Sequence, residues 1–329
     1  MKTMGVRTLR AVLFAATAAL LCVTGAASAQ DYPTKPIRII VGASAGGGTD
    51  VLARMIADGM YKQMGQPVVV DFRGGAGGMI GAEVVITAPP DGYTLLMAYN
   101  SMLTITPAVF KKPGYDPVKT LAPVAFFVEV PNALIVHPSV RANSVAELIA
   151  LIKSQPGKFN YASSGTATTT HLAGEHFAQM AGLQIVHVPY KGGGPAMIDM
   201  LGGVVQLYIN NLVEVLPHVK AGRVRMLAIA SAKRSPLMPD MPTIAESGLP
   251  GYESGLWYGV LAPAGTPAAI VNKLNEVVRH TQGLPELKAR LASMSAEPAY
   301  YTPAEFAELI KRDAEVWGRV VREGGIKSN

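Results

Sequence analysis

The chain has 329 residues, a single cysteine and a formal charge of +6. At roughly 100 to 200 residues per domain, this length predicts two lobes. Cys22 alone excludes a disulfide framework and a cysteine-based metal site, and with no run of five or more basic residues a nucleic-acid footprint is unsupported.

The first element is a targeting segment. Lys2, Arg7 and Arg10 precede an apolar run from Ala11 to Leu21, and Ala27-Ser28-Ala29 follows. This order predicts a Sec signal peptide, residues 1–29, cleaved after Ala29. The run is shorter than the roughly 20 residues that span a bilayer as a helix. Cys22 follows Leu20-Leu21 where a lipoprotein signal places a small residue, so no lipid anchor is expected. Removing three basic residues lowers the formal charge to +3. Past the leader no apolar stretch approaches 18 residues, and a soluble periplasmic protein is expected.

The remaining chain alternates short β-branched runs with helical patterns, as in parallel sheets joined by crossover helices. Ile37–Val41 reads as a strand, Gly42–Gly48 as a turn, and Val51, Leu52, Met55, Ile56 and Met60 follow helical spacing. Val68–Phe72 and Thr94–Ala98 are further strands. Ser144 and Glu147 form a capping box for a helix over 145–153. Phe159–Ala162 reads as a strand, Ser163–Thr170 as a polar turn, and a helix follows around His171–Met180. Ile185–Tyr190, Val205–Asn210, Arg225–Ser231 and Leu256–Leu261 complete the strands. Thr302, Pro303 and Glu305 open a last amphipathic helix that carries Trp317.

Two of the turns can hold an anion. A glycine-rich turn before a helix leaves backbone N–H groups without partners where the macrodipole adds positive charge. The first comprises Ala43, Ser44, Ala45, Gly46, Gly47, Gly48, Thr49 and Asp50. The second comprises Ser163, Ser164, Gly165, Thr166, Ala167, Thr168 and Thr169. If they face one another across a cleft, a carboxylate would be held by neutral donors. For either loop alone, tight turning and helix capping explain the composition equally well. His171, at the head of the following helix, fits a structural role or a place facing the cleft. Asp50 fits either a helix-start carboxylate or a ligand-orienting acceptor.

Other chemistries fare worse. The glycine loops match neither G-x-G-x-x-G nor a P-loop, so no nucleotide cofactor is expected. Gly42-Ala43-Ser44-Ala45-Gly46 matches the nucleophile elbow of serine hydrolases, but Gly46-Gly47-Gly48 delays the helix and few residues precede Ser44 to supply earlier strands. His171 and His176 lie about 140° apart on a helix, which is not zinc-ligand spacing. No metal is expected.

Many ordered segments carry a family resemblance. They include Gly46-Gly47-Gly48-Thr49-Asp50, Arg73-Gly74-Gly75-Ala76-Gly77-Gly78, Pro90-Asp91-Gly92-Tyr93-Thr94-Leu95-Leu96, Tyr161-Ala162-Ser163-Ser164-Gly165, His187-Val188-Pro189-Tyr190-Lys191-Gly192 and Leu261-Ala262-Pro263-Ala264-Gly265-Thr266-Pro267. On these the chain resembles the extracytoplasmic solute receptors of the tripartite tricarboxylate transporter (Bug) family. The resemblance implies an α/β periplasmic binding protein (Venus-flytrap) fold of two lobes with two interlobe crossovers, residues 30–131 with 252–329 forming one lobe and 132–251 the other. It implies a monomeric, non-catalytic receptor whose partners are a small organic carboxylate and two integral membrane transporter subunits. Tyr190, Lys191, Asn210 and Asn211 are expected to complete the site formed by the two turns. Two features depart from the family pattern: the first loop lacks its usual prolines, and Asn210 stands where an aspartate is common. Loss of that acid favours di- or tricarboxylates or aromatic acids over amino acids. A ligand-presenting co-sensor for a signalling kinase is the alternative outlet.

Overall fold

A computed structural model describes residues 32–110, 116–235 and 238–323; the expected signal segment lies outside them. The first block starts with β1 (Ile37–Val41), buried except for Arg38, whose guanidinium pairs with Asp71. Helix α1 (Gly48–Met64) follows the glycine turn and stops at Gly65, whose φ of 67° makes a left-handed cap. β2 (Val68–Phe72), α2 (Met79–Ile86) and β3 (Thr94–Tyr99) complete a parallel β2-β1-β3 unit. Short helices α3 (Asn100–Thr104), α4 (Thr106–Phe110) and α5 (Pro117–Thr120) lead into β4 (Leu121–Val136).

The second block repeats that grammar. Helix α6 (Val145–Ser154) is capped by the Ser144 hydroxyl, as its sequence predicts, and Asn143 N–H donates to Glu147 at 2.7 Å. It leads to β5 (Asn160–Ser163), α7 (Thr169–Ala181), β6 (Val186–Pro189), α8 (Gly193–Leu201), β7 (Leu207–Asn211), α9 (Leu212–Lys220) and β8 (Arg225–Ile229). The chain then returns to the first block through β9 (Gly255–Pro263), α10 (Ala268–Gly283), α11 (Pro285–Ala292), β10 (Glu297–Pro298) and α12 (Pro303–Glu323).

The expectation of parallel sheets holds for the outer strands and is corrected at the centre. Strand order is β2-β1-β3-β9-β4-β7-β5-β6, with β8 and β10 also pairing with β4. The outer blocks are parallel, but β9 is antiparallel to β3, and β4 is antiparallel to β9, β7 and β8. Strand β4 serves both halves: Leu121–Pro131 pairs with β9, and Asn132–Val136 pairs with β7 and β8. Sequence reading does not anticipate so long a strand, because Pro123 and Pro131 lack an N–H and ordinarily mark strand ends. Here the register shifts next to Pro123, and Pro131 falls where β4 changes partners.

The two passages between halves lie side by side at that change. Fully buried Asn132 donates from Nδ2 to Ser254 Oγ at 2.7 Å, and its carbonyl accepts from Ala230 N–H at 2.7 Å. Ser254 N–H in turn donates to the Ala230 carbonyl at 2.7 Å. One half packs Phe306 of α12 edge-on against Phe126 and Trp257, with Trp257 Nε1 donating to Asp313 at 2.8 Å. Such aromatic pairs add about 0.5–1.5 kcal/mol each beyond their buried area. Thr302 and Glu305 close the capping box expected for α12.

The other half buries Tyr161, Phe177 and Tyr252 with Leu134, Leu148 and Ile209. At its edge, the His187 ring stacks between Tyr161, 5.0 Å away, and His171, 4.0 Å away. Burial, and then the neighbouring His171, bring His187 down to about 4.

Two outcomes follow from this packing. A methyl at position 259 would enter the Phe306 ring and lie 2.9 Å from the Ala125 carbonyl oxygen, so Gly259→Ala should lose about 1–3 kcal/mol in urea unfolding. Gly283→Ala, where nothing lies within 4 Å, should be neutral or slightly stabilising. Because the unfolded chain protonates near 6.5 and folded His187 only near 4, stability should fall as pH drops through that window. In His187→Gln this part of the stability–pH profile, measured by denaturant midpoints, should flatten.

Candidate functional site

Four helix N-termini meet at one cleft between the two halves. Gly47, Gly48 and Thr49 belong to the start of α1, Thr168, Thr169 and Thr170 to that of α7, Gly192 and Gly193 to that of α8, and Asn211 and Glu214 to that of α9; all line it. Each contributes N–H groups that the helix itself leaves without partners, together with the positive end of a macrodipole. Ala43, Tyr99, Ser101, Ser164, Asn210, Leu256 and Tyr258 complete the walls, and no lysine or arginine is among them. The cleft encloses about 450 Å³, part of it open to solvent, and the space open to the centre of a water molecule is about 30 Å³. That is room for on the order of two waters.

Glycine permits this convergence. A Cβ on Gly48 would overlap the Asn211 amide, one on Gly193 would overlap the Glu214 carboxyl, and one on Gly194 would overlap the Ala45 carbonyl oxygen. The runs Gly46-Gly47-Gly48 and Gly192-Gly193-Gly194 therefore let the two halves approach backbone to backbone. Further bonds cross beside them. Ser44 donates to the Lys191 carbonyl from N–H at 3.1 Å and from Oγ at 2.6 Å, and Thr169 Oγ1 donates to Asn100 Oδ1 at 3.0 Å.

Of the residues expected from sequence, Ala43, Gly47, Gly48, Thr49, Ser164, Thr168, Thr169, Asn210 and Asn211 are brought together at the cleft. The others lie elsewhere. Ser44 engages the Lys191 carbonyl rather than a histidine. The Ala45 carbonyl abuts Gly194, and Gly46 N–H donates to Asp50, whose other oxygen accepts from Arg54. Ser163 Oγ is bonded to His187 Nε2 and accepts from Gly165 N–H. Gly165, Thr166, Tyr190 and Lys191 line a separate hollow with Gly75–Gly78, and the Tyr190 hydroxyl donates to Asp199 at 2.6 Å. Ala167 packs in an apolar cluster with Ile105, Val109 and Leu172. His171 stacks on His187 and accepts from Ala167 N–H.

Sequence reading places Thr170 at the end of the second turn but misses Tyr99, Ser101, Gly192, Gly193, Glu214, Leu256 and Tyr258. Two signals were present. Gly192-Gly193-Gly194-Pro195 repeats the strand–glycine–helix grammar of the first loop, and Asn211-Leu212-Val213-Glu214 has the spacing of a helix cap followed by an acid three residues on. Asn211 Oδ1 does cap α9, accepting from Glu214 N–H at 3.0 Å. Nothing in that pattern reveals that Glu214 is buried.

Glu214 is the one acid lining the cleft. Its Oε2 accepts from Gly48 N–H at 3.1 Å, reaching from one half of the molecule to the first turn of α1 in the other. Burial raises its carboxyl above the ordinary range, while the Asn210 side chain, Gly48 N–H and the Asn211 side chain act in the opposite direction. Asn210 faces this carboxyl, with its Oδ1 accepting from Asn211 Nδ2 at 3.1 Å, yet neither Asn210 Nδ2 nor Glu214 Oε1 completes a hydrogen bond. Burial also raises the Tyr99, Tyr208 and Tyr258 phenols, which stay neutral.

Among the described residues, four buried side-chain polar atoms lack a hydrogen-bond partner: Ser101 Oγ, Asn132 Oδ1, Asn210 Nδ2 and Glu214 Oε1. Three of the four belong to residues lining this cleft. Such atoms are rare in folded proteins because each costs about 1–3 kcal/mol.

Known proteins share this architecture. The profile of the tripartite tricarboxylate transporter family receptor matches residues 52–326. Protein BugT of Bordetella pertussis is 37% identical over 316 residues, 96% of each chain. An R. palustris protein solved with adipate is 38% identical, covering 90% of this chain and 99% of its own, with a TM-score of 0.87. MatC from Rhodopseudomonas palustris, solved with bound malate, is 31% identical, covering 88% and 100%, with a TM-score of 0.82. With its α/β halves, its double crossover and its glycine-lined cleft, the chain belongs to the tripartite tricarboxylate transporter receptor family.

Proposed function

We propose that this protein is a periplasmic receptor, not an enzyme, that captures a small organic carboxylate and delivers it to the membrane subunits of a tripartite tricarboxylate-type transporter. The observation that carries this reading is the group of partnerless buried polar atoms, Ser101 Oγ, Asn210 Nδ2 and Glu214 Oε1, at a cleft ringed by four helix N-termini. A bound anion would supply the missing partners and would be favoured by the macrodipoles, at about 0.3–1 kcal/mol each and more where buried. The adipate and malate of the relatives are carboxylates of that kind. The Lys2-to-Ala29 leader supports export to the periplasm, and no described helix is long and apolar enough to cross a membrane.

In this reading the lobes are 30–131 with 252–329 and 132–251, meeting where β4 changes partners between Pro131 and Asn132. The ligand-binding groups are those of Ala43, Gly47–Thr49, Ser164, Thr168, Thr169, Asn210 and Asn211, joined by Ser101 and Glu214. Room for about two waters is too little for a dicarboxylate, so the lobes part to admit the ligand and close on it.

A thermal-shift screen of organic acids tests the assignment. An acid at 100 times its Kd should stabilise the protein by about 2.7 kcal/mol; if none raises the Tm, the receptor reading fails. Ser101→Ala removes a hydroxyl without a partner, so the unliganded Tm should hold steady while affinity for the acid falls about tenfold.

A further inference from the structure

Glu214 is an unusual wall for an anion receptor, because a buried carboxylate repels the carboxylate it faces. At the third position of α9 behind an Asn cap, a glutamate ordinarily reaches back to the capping residue's own N–H. This one instead crosses the cleft to Gly48 N–H, and its position between α1 and α8 is permitted by glycine at 47 and 193, where a Cβ would crowd the carboxyl. The groups turned toward it are donors or neutral phenols: Gly48 N–H from α1, the Asn210 and Asn211 amides from the end of β7, and Tyr208 and Tyr258 from β7 and β9. No cationic side chain lines the cleft. Burial favours the neutral acid, whereas Gly48 N–H, the Asn210 and Asn211 amides and the helix mouths favour the ionised form, in which Oε1 is an acceptor.

We propose that Glu214 is a specificity-determining residue: Oε2 is held by Gly48 N–H, and Oε1 accepts from the ligand, so the cleft selects a small carboxylate bearing a hydroxyl or ammonium group over the same skeleton without one. The inference rests on the carboxylate-receptor reading and refines it. Ser101 Oγ, Asn210 Nδ2 and the first turn of α7 serve the ligand carboxylate, while the ligand's own donor faces Oε1 and separates the two negative charges. Glu214 thereby returns, four residues along, the acidic partner that Asn210 lacks.

A plain acid leaves Oε1 buried without a partner and places a second anion beside it. Its affinity should be lower by about tenfold to a hundredfold. Calorimetric titration of the full mature protein near neutral pH with matched sets tests this. Suitable sets are succinate, malate and aspartate, and 3-phenylpropionate, 3-phenyllactate and phenylalanine. In a set that binds, the hydroxy or amino member should bind at least about tenfold more tightly than the plain acid. Glu214→Gln should bring that ratio within about threefold, chiefly by strengthening the plain acid, and Glu214→Ala should narrow it as well. Equal binding of the plain acid by the wild type, or an unchanged ratio in both folded variants, overturns the role of Glu214 and leaves the receptor reading standing. If no member of either set binds, the comparison is made between the acid that raises the Tm and its hydroxy or amino counterpart, and equal binding there overturns the role of Glu214.

Discussion

The site depends on a close approach of two backbones. Gly46-Gly47-Gly48 and Gly192-Gly193-Gly194 come so near that a methyl group on several of them would collide with main-chain or carboxyl atoms opposite. With side chains in that gap the starts of α1, α8 and α9 would be held apart, and Glu214 could not reach Gly48. Glycine at these positions gives up helix propensity of up to about 1 kcal/mol per residue. What it secures is geometry: partial positive charges from separate helices directed into one small volume.

That geometry lets a cleft attract an anion without Lys or Arg. Neutral donors fixed in place lose little entropy on binding and need not be desolvated as full charges, whereas a buried cation would require a counter-charge of its own. The one ionisable acid in the wall is tied down by a backbone N–H rather than by a salt bridge. Across the cleft the two halves are joined by polar contacts of this kind, Ser44 to Lys191, Gly48 to Glu214 and Thr169 to Asn100. The Asn132–Ser254–Ala230 bonds tie together the two passages of the chain at the crossover.

Much of the fold is legible in the sequence. Strands β1, β2 and β3, and helices α6 and α12 with their caps, follow from periodicity and capping chemistry, which are local. The antiparallel centre of the sheet is not, because β4 runs through Pro123 and Pro131 and its pairing is decided by partners at least 71 residues away. The site divides the same way. The turns at 43–50 and 163–169 are visible as glycine- and hydroxyl-rich helix starts, although Ser44, Asp50 and Ser163 spend their side chains on local or cross-lobe bonds. Ser101, Leu256 and Tyr258 come from ordinary-looking strand ends and a short helix. Glu214 stands in the first turn of a helix, where an acid is ordinarily solvated, and only the tertiary structure buries it.

The claim that helix-mouth amides hold the ligand can be read directly from amide chemical shifts in a ¹⁵N–¹H titration with any carboxylate that raises the Tm. The amides of Thr49, Thr169, Thr170 and Gly193 should move together along one saturation curve whose midpoint matches the calorimetric Kd. Saturable binding that leaves these four unmoved, and instead shifts residues around Val130 and Trp257 on the crossover, would contradict it.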